Sequence, residues 1–298
     1  MAKLPVGIVA SQSLDFAWSN FATLLRIGWF PLLASAVFSS AAELPILAGD
    51  EVDLSTAPNM AMVLIGGIGA TFLWAIFAVA VHRMILLDGA VPDDWLYFRL
   101  SGQEIRYAIA PFVLALIPLL IVFGTTAVLF GANMLSGLMS AQDIALPNSG
   151  RASVIQGLGM LVAVLLAIFV MIRLVLVMPI VVAEGKIGIR RAWTVSSGNF
   201  WRLVSVHLLV GIAMTLFLFA FGVVVALWLF VASAAGLSAP LTGGGTLGLF
   251  LAMIGGIFSY LVLAFFGTVA FLAVLSFSYK ALTITYVTEA DAPSVSES

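Results

Sequence analysis

Arg173 stands inside an apolar run, Phe169-Val170-Met171-Ile172-Arg173-Leu174-Val175-Leu176-Val177-Met178-Pro179, where ionisable side chains are costly. A guanidinium near the centre of a bilayer costs at least about 2.5–3.5 kcal/mol on insertion scales, so such a residue faces a protein interior or reaches an interface. No acidic residue falls in the core of any apolar run to pair with it. Glu184 lies on nearly the same helical face, yet about 16 Å further along a straight helix, too far for a direct pair. Pro179 alters that geometry. It has no N–H and leaves the carbonyl of Val175 without its helical partner. A break there is expected to turn Leu174–Ala183 into an interfacial or re-entrant piece and to carry Arg173 towards headgroup phosphates. Two readings stand for Arg173: a ligand of an anionic headgroup or substrate, or an arginine that bonds helix-end carbonyls or snorkels.

The densest basic cluster follows, Glu184-Gly185-Lys186-Ile187-Gly188-Ile189-Arg190-Arg191-Ala192-Trp193. It reads as an amphipathic helix at the membrane surface, where an anionic lipid contributes about 1 kcal/mol per basic side chain. The plainer reading is a topology anchor. With Arg202 ahead of the next apolar run, the candidate set for anionic lipid or substrate binding is Arg173, Glu184, Lys186, Arg190, Arg191 and Arg202. His82 and His207 have no carboxylate at ligand spacing and are expected to hydrogen-bond at the interface rather than hold metal. Asp93-Asp94 beside Pro92 reads as a turn before it reads as an acid–base pair. No phosphate-binding loop, nucleophile elbow, zinc motif or dinucleotide fingerprint occurs, so no catalytic, cofactor-binding or metal residue is assigned.

The elements that position these residues are read from charge. Leu203 to Tyr279 holds no Asp, Glu, Lys or Arg, and similar windows cover Leu54–His82, Tyr107–Gln142 and Ala152–Ile172. A spanning helix needs about 20 apolar residues, and the hydrocarbon layer solvates neither charges nor open backbone. Of the residues, 9% are charged and 63% apolar, against roughly 25% and 45–50% in soluble domains. The expected fold is all-α: a polytopic transmembrane helical bundle of six spans, near Phe21–Leu47, Met60–Val81, Ala108–Gly131, Ser153–Ala183, Leu203–Gly236 and Leu247–Leu282. An interfacial segment (1–20) is expected to precede the membrane domain (21–282), with a disordered acidic tail (283–298) after it. In the first segment a helix is expected from Ser13, with Leu14, Phe16 and Trp18 towards lipid and Asp15 and Asn20 towards water. Small residues at Gly66, Gly67, Gly69 and Ala70, and at Gly255, Gly256 and Ser259, are expected to let helices pack closely.

With that threading, all but two of the 12 basic residues fall on one side. Those on the other side or within a span are Arg151 and Arg173. The positive-inside rule then places both termini in the cytoplasm, and Trp18, Trp29, Trp95, Tyr97, Tyr107, Trp193, Trp201 and Tyr279 form an interfacial belt on that side. Loop Ala132–Ala152 and the turn Leu237–Thr246 fall opposite. A weak repeat joins Ser19-Asn20-Phe21…Arg26, Ser101-Gly102-Gln103…Arg106 and Ser197-Gly198-Asn199-Phe200…Arg202. Each is a polar turn leading into a helix with a basic anchor.

The stretch Arg173…Pro179…Glu184-Gly185…Ala192-Trp193…Ser197-Gly198-Asn199-Phe200-Trp201-Arg202-Leu203 resembles the glycerophosphoryl diester phosphodiesterase membrane-domain proteins and related six-span bacterial membrane-protein families. The resemblance implies a multi-pass protein of the bacterial plasma (inner) membrane. It implies no phosphodiesterase activity, because in that family the hydrolysis belongs to a separate soluble domain with metal-binding carboxylates, and six spans fill this chain. The expected function is non-catalytic, with anionic lipids, protein partners or further copies of the chain as partners in membrane homeostasis. A small transporter with a site near Arg173 and Pro179 is the alternative, and a membrane-embedded enzyme ranks last. Net charge −2 with scattered basic residues argues against nucleic acid. Without cysteine, disulfides and thiolate chemistry are excluded.

Overall fold

The computed structural model describes residues 3–47, 57–87, 97–140, 149–234 and 265–283. Every regular element among them is a helix: α1 (Val6–Ser19), α2 (Phe21–Leu47), α3 (Ala57–Leu86), α4 (Gly102–Ser140), α5 (Ser149–Leu174), α6 (Val177–Glu184), α7 (Ile189–Val195) and α8 (Phe200–Ala234). A further helix, α9 (Phe265–Thr283), closes the described chain. Six stretches are long and apolar enough to cross a membrane: Phe21–Ser39, Val63–Leu86, Gly102–Ala132, Gln156–Glu184, Phe200–Val224 and Phe265–Thr283. Over the described residues the protein is all-α and carries six candidate spans, as its charge pattern requires.

Several boundaries move. The helix expected from Ser13 starts at Val6, directly after Pro5. Its buried face is Val9, Ala10, Ser13 and Ala17, a stripe at helical period that reaches well upstream of Ser13. Phe16, expected at lipid, instead meets Phe277 edge-on at 6.1 Å. α4 runs to Ser140 and α5 starts at Ser149, so most of the loop expected over Ala132–Ala152 is helix. Bilayer thickness bounds the apolar part of a helix and does not stop hydrogen bonding beyond it. Arg83 likewise lies in the last turn of α3, where a cation suits the carbonyl end. Asp93-Asp94, Trp95, Gly255, Gly256, Ser259, the turn at Leu237–Thr246 and all but Thr283 of the acidic tail lie outside the described residues.

The chain divides into two units, and the division cuts α2 after Trp29 and α3 after Val79. One unit comprises Met1–Trp29, Ala80–Tyr97 and Trp201–Ser298. Its hub is α9, of which 67% is buried. Trp18 and Phe21 pack edge-on against Phe266 and Phe265 at 6.1 and 5.7 Å. Phe217 and His207 of α8 meet Phe266 and Phe271 at 5.3 and 5.6 Å. The fully buried His82 of α3 bonds through Nδ1 to Ser276 Oγ at 2.5 Å. Lys280 Nζ donates to the carbonyl of Ile85 at 3.2 Å, one helical turn further on. Lipid tails are as apolar as leucine, so such contacts, not water exclusion, hold the helices together.

The other unit comprises Phe30–Val79 and Phe98–Phe200. In it α4 packs along α5 and α6, and α7 packs on α5 and α6. Of the glycines of α3 expected to let helices pack closely, Gly69 does so, whereas a Cβ on Gly67 would meet nothing within 4 Å. A Cβ on Gly69 would lie 2.7 Å from the Phe38 ring of α2, and Ser35 Oγ donates to the Ala70 carbonyl at 3.1 Å. Tyr107, expected in an interfacial belt, is fully buried against Trp74, with ring centroids 6.0 Å apart. Tyr97 and Tyr279 are buried too, whereas Trp18, Trp193 and Trp201 are exposed. Only 6% of the α4 span is buried. Its exposed Leu116, Leu120, Phe123 and Val128 make an apolar surface that water does not tolerate and lipid does.

Candidate functional site

α5 ends at Leu174 and α6 begins at Val177, so the helix breaks just upstream of Pro179, as expected. Pro179 cannot donate to Val175. The amide of Met178 takes over that carbonyl at 3.4 Å, and Ile180 N–H bonds to the Leu176 carbonyl at 3.2 Å. The piece so formed is not interfacial. Val177 through Val182 are all buried, because the apolar run 177–183 has no polar face to present to water.

Gly185 ends α6 in the left-handed region, with φ 68° and ψ 17°, and its N–H bonds to the Val181 carbonyl. Glycine takes that conformation without the clash a Cβ would bring. Two side chains of α4 satisfy the carbonyls left open at this end. Gln103 Nε2 donates to Val182 O at 2.6 Å and Arg106 to Gly185 O at 2.9 Å. Three residues on, a Cβ at Gly188 would sit 2.7 Å from Ile180 Cγ2. Gly188 then caps α7. The amphipathic helix expected over Glu184–Trp193 is thus corrected. Two glycine turns occupy 185–188, and the helix starts only at Ile189.

Arg173, in the last turn of α5, reaches α7 rather than its own helix end. It donates to the Trp193 carbonyl at 2.9 Å and, through Nε, to Ser196 Oγ at 3.3 Å. Its guanidinium carbon lies 3.9 Å from the Trp193 ring centroid and 5.8 Å from that of Phe169. Phe169 also stacks on Phe200 at 4.8 Å. Gly198, with φ 74°, turns the chain into α8.

Glu184 is the acidic centre of the turn. Its carboxylate oxygens lie 3.5 Å from Lys186 Nζ and 3.2 Å from Arg191 Nε. Arg190 is exposed, and no described acidic side chain pairs with it. No protein-family model, curated protein or solved structure matches the chain.

Of the six candidates, the structure brings Glu184, Lys186 and Arg191 together, keeps Arg190 beside them in α7, and ties Arg173 to the end of α7. Arg202 belongs to the other unit, where it donates to the Leu4 carbonyl at 3.2 Å. The candidate set omits Gln103, Glu104 and Arg106. Glu104 is buried and closes a capping box, accepting from Ser101 N–H at 2.9 Å and from the Ser101 hydroxyl, while Ser101 Oγ accepts from Gln103 N–H at 3.3 Å. The pattern Ser-x-x-Glu ahead of an apolar run was the available signal. Gln103 and Arg106, three apart on one helix face, follow from it. Among the described residues no group of three His, Cys, Asp or Glu side chains gathers. What gathers is cationic, and its chemistry is attraction of an anion.

Proposed function

We propose that the chain is a non-catalytic integral protein of the bacterial plasma membrane, with both termini cytoplasmic, whose basic end engages anionic lipid headgroups. The observation that carries this reading is the turn at Glu184–Arg191. At the end of the Gln156–Glu184 span Lys186 and Arg191 pair with Glu184, Arg106 bonds the Gly185 carbonyl, and these three cations and Arg190 are all exposed. Cations at that depth meet phosphate, at about 1 kcal/mol per side chain beside an anionic leaflet. The skew of basic residues to one side of the expected threading supports the orientation.

The test has two arms. The chain has no native cysteine, so single-cysteine variants at Arg190 and Gly244 report sidedness cleanly. A membrane-impermeant thiol reagent should label them from opposite faces of sealed vesicles, and labelling from one face overturns the threading. Native mass spectrometry of the purified protein should show anionic lipid retained over zwitterionic lipid. Equal retention overturns the lipid reading.

A further inference from the structure

One carboxylate at the Gly185 turn is gripped through both of its oxygens. Glu184 Oε2 faces Lys186 Nζ and Oε1 faces Arg191 Nε. The Arg106 guanidinium is fixed on the next carbonyl, that of Gly185, and Arg190 adjoins Arg191 in α7. Two cations therefore grip one negative charge, a third is bonded to the neighbouring carbonyl, and a fourth adjoins them in sequence. Lys186 is 71% exposed, Arg191 46% and Glu184 23%, and ion pairs this open to water are weak and exchange readily. A phosphodiester has the same single charge and offers the same two unsubstituted oxygens as a carboxylate, so it fits the same grip. Large apolar side chains flank the cations in sequence on the same unit. Phe98, Leu100, Ile105 and Trp193 are 52%, 56%, 38% and 40% exposed. Exposed apolar side chains of this kind suit acyl chains and do nothing for a soluble phosphate.

We propose that this turn is a discrete site for the phosphodiester of an anionic phospholipid, which competes with Glu184 for Lys186 and Arg191. The proposal rests on the lipid-binding reading above and deepens it from a basic rim to one site with an internal competitor. The protein is reconstituted in zwitterionic nanodiscs containing a minority of phosphatidylglycerol, and retained lipid is counted by native mass spectrometry. Glu184→Gln should raise phosphatidylglycerol retention about fivefold, the weight of one elementary charge near an anionic surface. Glu184→Ala should do the same, and unfolding midpoints measured alongside show that both variants are folded. The double variant K186Q/R191Q should lower retention about tenfold or more. Millimolar inorganic phosphate should displace no lipid.

Retention unchanged or lowered in both Glu184 variants, with K186Q/R191Q still weak, overturns the competition and leaves the lipid reading standing. Parent-like retention in K186Q/R191Q and in Arg190→Gln overturns both. Displacement by inorganic phosphate shows a site for the free anion and overturns the choice of lipid.

Discussion

Replacing Arg173 by alanine separates the two roles that its position allows. The substitution removes a charge-assisted bond to the Trp193 carbonyl at 2.9 Å, a weaker one to Ser196 at 3.3 Å, and a stack 3.9 Å from the Trp193 ring centroid. A hydrogen bond from a charged group contributes about 1.5–3 kcal/mol and an exposed cation–π contact about 0.5–1 kcal/mol. The site is partly open to water, which holds the total to about 2 kcal/mol. α7 has seven residues, too few to hold as an isolated helix, so the loss falls on its docking. Two kcal/mol is about a thirtyfold change in an equilibrium constant. Hydrogen exchange of the peptide over 189–195 in nanodiscs should therefore quicken about thirtyfold, with α9 unchanged. Arg173→Lys should fall between, since an ammonium keeps the charge but neither forks nor stacks. Exchange unchanged in Arg173→Ala, with anionic lipid retention reduced, would refute the clasp and make Arg173 a lipid ligand.

Two further outcomes follow from the packing. In the His82–Ser276 pair, a double-mutant cycle of His82→Ala and Ser276→Ala, followed by unfolding in mixed micelles, should give a coupling of about 0.5–2 kcal/mol, and zero coupling means the bond does not form. At Gly188, alanine places a methyl 2.7 Å from the buried Ile180 Cγ2 and should cost about 1–3 kcal/mol. An Ile180→Ala background should recover part of that loss in thermal unfolding, and strictly additive costs refute the clash.

The spans were legible because the bilayer imposes a coarse rule: charge-free runs of sufficient length. α2 matches its expected bounds of Phe21–Leu47, and the break near Pro179 follows from a missing N–H. Helix ends were less legible. α4 extends through Met134–Ser140 although its apolar task is finished, because hydrogen bonding continues wherever the residues permit. The direction of long side chains was hidden most. Nothing in the spacing of Arg173 and Trp193 says that one reaches the carbonyl of the other, since the glycine turns at 185–188 and the cap at Gly188 decide where α7 lies. The burial of Tyr107 was hidden for a similar reason. An aromatic at a span end reads as belt, and only its neighbour Trp74 makes it core.

Basic residues near the ends of the spans do two kinds of work, and the structure separates them. Arg106, Arg173 and Lys280 donate to the carbonyls of Gly185, Trp193 and Ile85, each at or near the C-terminal end of a helix, where carbonyls lack intrahelical partners. Arg202 donates to Leu4, ahead of α1. These cations hold chain segments in place, and for Arg106, Arg173 and Lys280 the favourable field at a helix C-terminus strengthens the bond. A count of positive charges by side treats them all as topology signals or lipid ligands. Lys186, Arg190 and Arg191 differ. They lie in or beside a turn, and Glu184 pairs with Lys186 and Arg191 at distances typical of exposed, exchangeable ion pairs. Neutralising a clasp residue such as Arg173 should therefore loosen a helix before it changes the bound lipid. Neutralising the Lys186–Arg191 set should change the bound lipid first, so the order in which the two readouts respond tells one class from the other.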